Sequence, residues 1–155
     1  MTREEGLVYT ALERQYGRKY IILPQVRICT GYGNYGGDRL ADFYMMNPWP
    51  SANYHVMILE VKVSIRDFYS DIRSPQKQML AHLYSDEFYY VFPEKLFEKK
   101  KEAICNLLSY KQDGIMILGE NGYVYKKRKP KSKRSKIPYD FGFVASLLRK
   151  ARGAS

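Results

Sequence analysis

Between His55 and Ser64 the chain reads His-Val-Met-Ile-Leu-Glu-Val-Lys-Val-Ser. This run is rich in β-branched and large apolar residues and has no Gly or Pro, so it predicts a strand. Strand side chains alternate faces, which puts Met57, Leu59, Val61 and Val63 on one apolar face. The opposite face begins apolar with Val56 and Ile58 and then turns charged at Glu60 and Lys62. A strand on the surface of a sheet is polar along a whole face, whereas this one is expected to be buried on both sides until its last third. Glu60 and Lys62 then point the same way, roughly 6–7 Å apart at about 3.3 Å per residue. A carboxylate and an ammonium at the end of a buried strand mark a candidate site.

The rest of the chain must cover that strand. With 155 residues, one domain spanning 1–155 with a single core is expected. Reading forward, Thr2-Arg3-Glu4-Glu5 has the form of a capping box opening a helix that ends near Gly17. Glu5 shares a face with Val8 and Leu12, which capping explains, although Glu5 and Glu13 are both placed to approach a site. Strands are expected over Tyr20–Cys29 and Arg39–Met46. Asp42 interrupts the second, and its low strand propensity calls for a partner on the neighbouring Glu60 strand. Gly31 to Gly36 formally spells G-x-G-x-x-G. It leads into another extended segment instead of a helix, so a hairpin loop carrying Tyr32 and Tyr35 is expected, not a dinucleotide site.

After Ser64 a polar-aromatic stretch reaches Arg73, and Ser74-Pro75 signals a helix start. In that helix Met79, Leu80, Leu83 and Tyr84 form the apolar stripe, with Gln76 on the buried side. Glu87 to Phe92 reads as a strand and Glu94 to Tyr110 as a basic amphipathic helix. Asp113–Gly119 and Gly122–Lys126 read as a hairpin, and a last helix is capped by Asp140.

Net charge is +10, and eight of the 26 basic residues lie between Lys126 and Lys136, which contains no acid; the remainder has 18 basic against 16 acidic residues. A near-neutral body with one cationic segment is the footprint of a polyanion binder, although a solvated loop has the same composition. Cys29 and Cys105 stand alone, and His55 and His82 have no partner at ligand spacing. These patterns argue against a zinc site or disulfide framework and suit a reducing cytoplasm. No signal-peptide pattern or long apolar run appears, so neither secretion nor a membrane span is expected.

Asp42 followed by Glu60-Val61-Lys62 on an adjacent strand resembles the active-site pattern of the PD-(D/E)xK nuclease superfamily. More narrowly, Arg39 to Pro93 resembles the MmcB-like DNA-repair family. The matching pieces are Arg39-x-Ala41-Asp42, then Glu60-Val61-Lys62-Val63-Ser64 with Asp67, Phe68 and Asp71, and then Asp86-x-Phe88-Tyr89-Tyr90-Val91-x-Pro93. Asp42 lacks a preceding Pro, and Ser74 to Lys77 stand where that family more often has a Lys-Trp pair. The resemblance implies an α/β fold with a restriction-endonuclease-like core (helix, three-stranded meander, helix, strand) followed by a C-terminal hairpin and helix.

The resemblance also implies a metal-dependent DNA nuclease, an endonuclease of repair or recombination. In it Asp42, Glu60 and the Val61 carbonyl would ligate Mg²⁺ or Mn²⁺, and Lys62 would serve the water or the phosphate. Hard carboxylate and carbonyl oxygens suit those cations. Phosphodiester hydrolysis needs a nucleophilic water and stabilisation of charge on the phosphoryl oxygens. Accessory candidates are Glu5, Glu13 and Gln76; Asp67 and Asp71 read as structural. DNA contacts would come from Arg39, Lys77, Lys126, Lys127, Arg128, Lys129, Lys131, Lys133, Arg134 and Lys136. Nucleases of this type often pair to cut two strands, so a homodimer is among the expectations. The competing readings are a nuclease-fold nucleic-acid-binding module with an idle site, and a regulator that binds an acidic protein partner through the basic run.

Overall fold

The computed structural model describes residues 1–28, 39–108, 111–131 and 139–153; the side chains of Arg39, Gln76 and Lys77 are not among those described. The Gly/Tyr loop, Cys29 and the expected contacts of Lys133, Arg134 and Lys136 lie outside these residues. Helix α1 (Arg3–Tyr16) opens with the expected capping box, in which Thr2 accepts from the Glu5 N–H and the Glu5 carboxylate accepts from the Thr2 N–H. Such caps contribute about 1 kcal/mol.

The sheet follows: β1 (Ile21–Ile28), β2 (Arg39–Met46) and β3 (Val56–Val61) form an antiparallel meander. Helices α2 (Ile65–Ile72) and α3 (Pro75–Leu83) then carry the chain to β4 (Glu87–Pro93), which lies parallel to β3. Helix α4 (Glu94–Leu107) leads to β5 (Gly114–Leu118), parallel to β4. The antiparallel edge strand β6 (Val124–Arg128) and helix α5 (Phe141–Ala151) complete the chain. The six strands lie in sequence order, so β3 and β4 are central. Among the described residues, no helix is long and apolar enough to cross a membrane.

Two apolar layers sandwich the sheet. Met57, Leu59 and Val61 join Phe43, Met45, Tyr89 and Val91 beneath α1. Val56 and Ile58 join Tyr44, Phe88, Tyr90 and Phe92 on the other side, under Phe68 of α2, Leu80 of α3, Phe97 and Ile104 of α4, and Phe143 of α5. Every residue of β3 is buried, as a central strand covered on both faces requires.

Several local expectations change. The strand ends at Val61, because Ser64 caps α2 by accepting from the Asp67 N–H; Val63 is therefore exposed, not core. The polar-aromatic stretch is itself a helix, α2, held down by Phe68 and, partly buried, Ile65 and Ile72. In α3 Leu80 is buried and Leu83 and Tyr84 are partly buried, as expected, but Met79 faces solvent, and among the described side chains Gln78 and Ala81 are buried as well. Helix α4 is interrupted at Lys100, whose φ of −120° and ψ of 20° are non-helical. Lys126 to Arg128, the start of the basic run, are part of β6.

Candidate active site

The site arises where β1 and β2 lose their regularity together. Ladder pairing runs from Ile21↔Met46 to Pro24↔Phe43, resumes at Val26↔Ala41, and omits the intervening Gln25 and Asp42. Gln25 has a φ of 54°, a left-handed conformation that a non-glycine residue adopts at a cost of order 1–3 kcal/mol. The kink shifts the alternation of β1. Ile22 packs under α1, whereas Val26 and Ile28 pack on the opposite layer. Opposite it, Ala41 and Phe43 likewise fall in different layers, with Asp42 between them. Pro24 cannot donate to a ladder, which is consistent with a break at this point.

The β2–β3 ladder ends at Phe43↔Leu59, so Asp42 and Glu60 are the next residues on the two neighbouring strands. Asp42 then does with its side chain what backbone would otherwise do: its Oδ2 accepts from the Val61 N–H at 2.7 Å. The N–H and C=O of one strand residue leave from the same edge, so the Val61 carbonyl is on the Asp42 side of β3. On its other side β3 continues to β4, with the Lys62 N–H donating to the Val91 carbonyl at 2.8 Å. Burial is the main force on the Asp42 carboxyl and raises its pKa to about 6. The Val61 N–H opposes that rise, Glu5 adds to it, and Lys62 and a Gln25 hydrogen bond lower it.

Glu60 is 9% exposed and registers with Tyr90 of β4. Lys62, just past the strand, places its ammonium 3.0 Å from Asp71 of α2, and both side chains are nearly buried. The α2 helix that the sequence left without secondary structure thus supplies the counterion that fixes Lys62. Asp71 thus bonds a basic residue; Asp67 is exposed at the start of α2, and its carboxyl has no part in that pair.

From the α1 side, Glu5 accepts from Gln25 Nε2 at 3.3 Å while capping the helix, and Gln25 also bonds Asp42. Gln25 therefore bridges two carboxylates, a role with no signal in the sequence beyond the adjacent Pro24. Glu13, two turns further along α1, bonds Tyr9 and raises that hydroxyl's pKa after desolvation has done the larger part. The other accessory candidate, Gln76, has no described side chain, but Gln78 is buried and donates to the Tyr90 hydroxyl at 3.1 Å. Among the described residues no group of three or more His, Cys, Asp or Glu side chains could hold a metal. A cation here would rest on two carboxylates, a backbone carbonyl and water or phosphate oxygens. A desolvated carboxyl whose pKa burial has raised fits such a cation, which would replace the proton.

The histidines take other work. His55 Nδ1 meets the Tyr20 hydroxyl at 3.0 Å and its Nε2 lies 3.3 Å from Glu87, a network at the start of β3 and β4. His82 Nε2 lies 2.6 Å from Asp113, which is fully buried. Of the basic run, Lys126 lies over the Tyr89 ring, 5.6 Å from its centre. Arg128 donates to the carbonyls of Leu108 and Lys111, so it clamps the chain after α4. Lys127, Lys129 and Lys131 are exposed.

The chain matches no protein-family model and no curated protein sequence. Two solved structures match it in three dimensions. One is an XisH family protein from Nostoc punctiforme, with a TM-score of 0.55, 13% identity, and coverage of 78% of this chain and 94% of that one. The other is an fdxN element excision controlling factor protein from Anabaena variabilis, with a TM-score of 0.55, 13% identity, and coverage of 79% and 97% respectively. At that identity the likeness is one of fold: the chain has the mixed α/β fold seen in these two proteins.

Proposed function

We propose that the chain is a metal-dependent DNA nuclease, probed most directly as an endonuclease acting in repair, recombination or element excision. The observation that carries the reading is the break at Asp42, which puts a desolvated carboxyl against Val61, beside Glu60 and within the field of Lys62. The PD-(D/E)xK and MmcB-like resemblance of the same residues supports it, as does the name of the second neighbour, an excision controlling factor.

Mg²⁺ or Mn²⁺ held by Asp42, Glu60 and the Val61 carbonyl would supply a water of lowered pKa and a Lewis acid for the phosphate. The chain's own groups do the rest. Asp71 holds the Lys62 ammonium in place, so Lys62 acts as a fixed positive charge for the water or a non-bridging phosphate oxygen. Gln25 sets the relative positions of the Glu5 and Asp42 carboxyls. Lys127, Lys129 and Lys131 offer exposed charge for the DNA backbone.

The test is cleavage of single-stranded, nicked, branched and duplex DNA with Mg²⁺ or Mn²⁺. The reading expects at least one substrate to be cut by the parent protein and left intact by Glu60→Ala. A second reading is a nucleic-acid-binding module with an idle acidic site, favoured by the exposed Lys127, Lys129 and Lys131, which suit a DNA backbone without any metal. It predicts DNA binding with no cleavage under any metal.

A further inference from the structure

Helix α2 has two working faces. Phe68 and Asp71 turn inward, toward the core and Lys62. Arg66, Tyr69, Ser70 and Arg73 recur at three- and four-residue spacing and share the outward face. That face lines a groove of about 600 Å³. Tyr69 and Arg73 continue into a second groove of about 360 Å³, where α2 meets Ala103 and Asn106 of α4. The same two α4 residues line a third, of about 380 Å³, together with Lys99 and Lys100. Their shared walls make them one track running from the start of α2 along α4.

The charge of the track is one-sided. Arg66, Arg73, Lys99 and Lys100 border it against the single acid Glu102. None of the four cations makes an ion pair among the described residues. Cations on a convex surface need no explanation, but these border a concave track that also holds a half-buried aromatic ring. The Tyr69 ring packs against the edge of the core beside Phe68, with centroids 6.2 Å apart and planes tilted by 43°. Cationic walls around a supported ring are what a single nucleic-acid strand needs, with phosphates on the guanidinium groups and a base on the ring. Duplex DNA keeps its base faces stacked internally and offers none to a tyrosine.

We propose that this track binds single-stranded DNA, with a base on Tyr69 and flanking phosphates on Arg66 and Arg73. Arg66 and Arg73, the latter at the C-cap of α2, stand seven positions apart, about 10 Å of helical rise, with Tyr69 between them. The site is separate from the basic run at the other end of the sequence, and α2 begins three residues after Lys62. The inference rests on the nuclease reading for its purpose, but binding needs no metal and can be measured without cleavage.

The experiment is fluorescence anisotropy in EDTA with a labelled oligothymidine of about 20 nucleotides and a duplex of the same length, using the full chain. Arg66→Gln/Arg73→Gln should weaken single-strand binding about tenfold. It should also reduce the slope of log K against log salt by about 1.4, since each phosphate contact on a single strand contributes about 0.7. Tyr69→Leu, which keeps the charge and the apolar backing, should lose at least about fivefold with the slope unchanged. Unchanged affinity and slope in the double variant would overturn the proposal, and equal losses on duplex would overturn the single-strand assignment. Failure of the nuclease reading shows separately, as this binding intact with no DNA cut under any metal.

Discussion

Asp42→Asn should make the metal-free protein more stable at neutral pH, although it removes a carboxyl central to the site. Burial raises the Asp42 pKa from the ordinary 3.8 to about 6. Between those values the folded protein binds a proton that the unfolded chain does not, so stability falls as pH rises through that window. The contribution is fully present below about pH 4 and lost above about pH 6. A shift of about two units corresponds to about 3 kcal/mol. Asn resembles the protonated acid and can still accept from the Val61 N–H, so it avoids the cost of ionising the buried group. Urea unfolding of parent and Asp42→Asn in EDTA should give nearly equal stabilities at pH 4 and a gap approaching about 3 kcal/mol in favour of the variant at pH 7. A variant less stable than the parent at pH 7, or a gap that does not change with pH, would refute the reasoning.

Other perturbations follow from named contacts. Lys62→Met removes the 3.0 Å pair with the nearly buried Asp71 and should destabilise the protein by up to about 3–5 kcal/mol, with much of it recovered in Lys62→Met/Asp71→Leu, as read from a double-mutant cycle in urea. His82→Leu strands the fully buried Asp113 in the same way and should lower the thermal midpoint by several degrees; an unchanged midpoint would show that the pair holds nothing. Gln25→Gly removes the left-handed strain together with the amide bridge, so stability should change little, but the Asp42 midpoint in a ¹³C NMR titration should move further above about 6. Replacing Lys127, Lys129 and Lys131 by Gln should flatten the salt dependence of duplex binding by about 2.7 units of log slope, if each contacts one phosphate.

The central strand, the antiparallel meander and the placement of Asp42 beside Glu60 were legible because burial leaves a direct mark on sequence. A strand covered on both faces is continuously apolar, and a carboxyl inside such a strand stands out. Helix α2 was not legible as a helix, since its inward stripe is only Ile65, Phe68 and Ile72, too short to distinguish from a polar connection. In α3 the apolar stripe shows Leu80 and Tyr84 but not Gln78, which is buried with its hydrogen bond to Tyr90, a tertiary partner that no periodicity reveals. Gln25 is hidden in the sequence for a similar reason. Its positive φ is imposed by a distortion shared with the opposite strand, and nothing in its own chemistry favours that conformation. The pairing of Lys62 with Asp71 spans the turn from β3 into α2 and became visible only once α2 had formed. Arg128 reads as part of a cationic run, yet β6 aims it at two backbone carbonyls.

The nuclease reading requires the carboxyls of Asp42 and Glu60 to share one divalent cation. Isothermal titration calorimetry with Mn²⁺ on the parent, Asp42→Asn, Glu60→Gln and Lys62→Met tests this directly. The account predicts one Mn²⁺ per chain in the parent and in Lys62→Met, and loss of that binding in both carboxyl variants. Equal Mn²⁺ binding in all four proteins, or none in the parent, would contradict it.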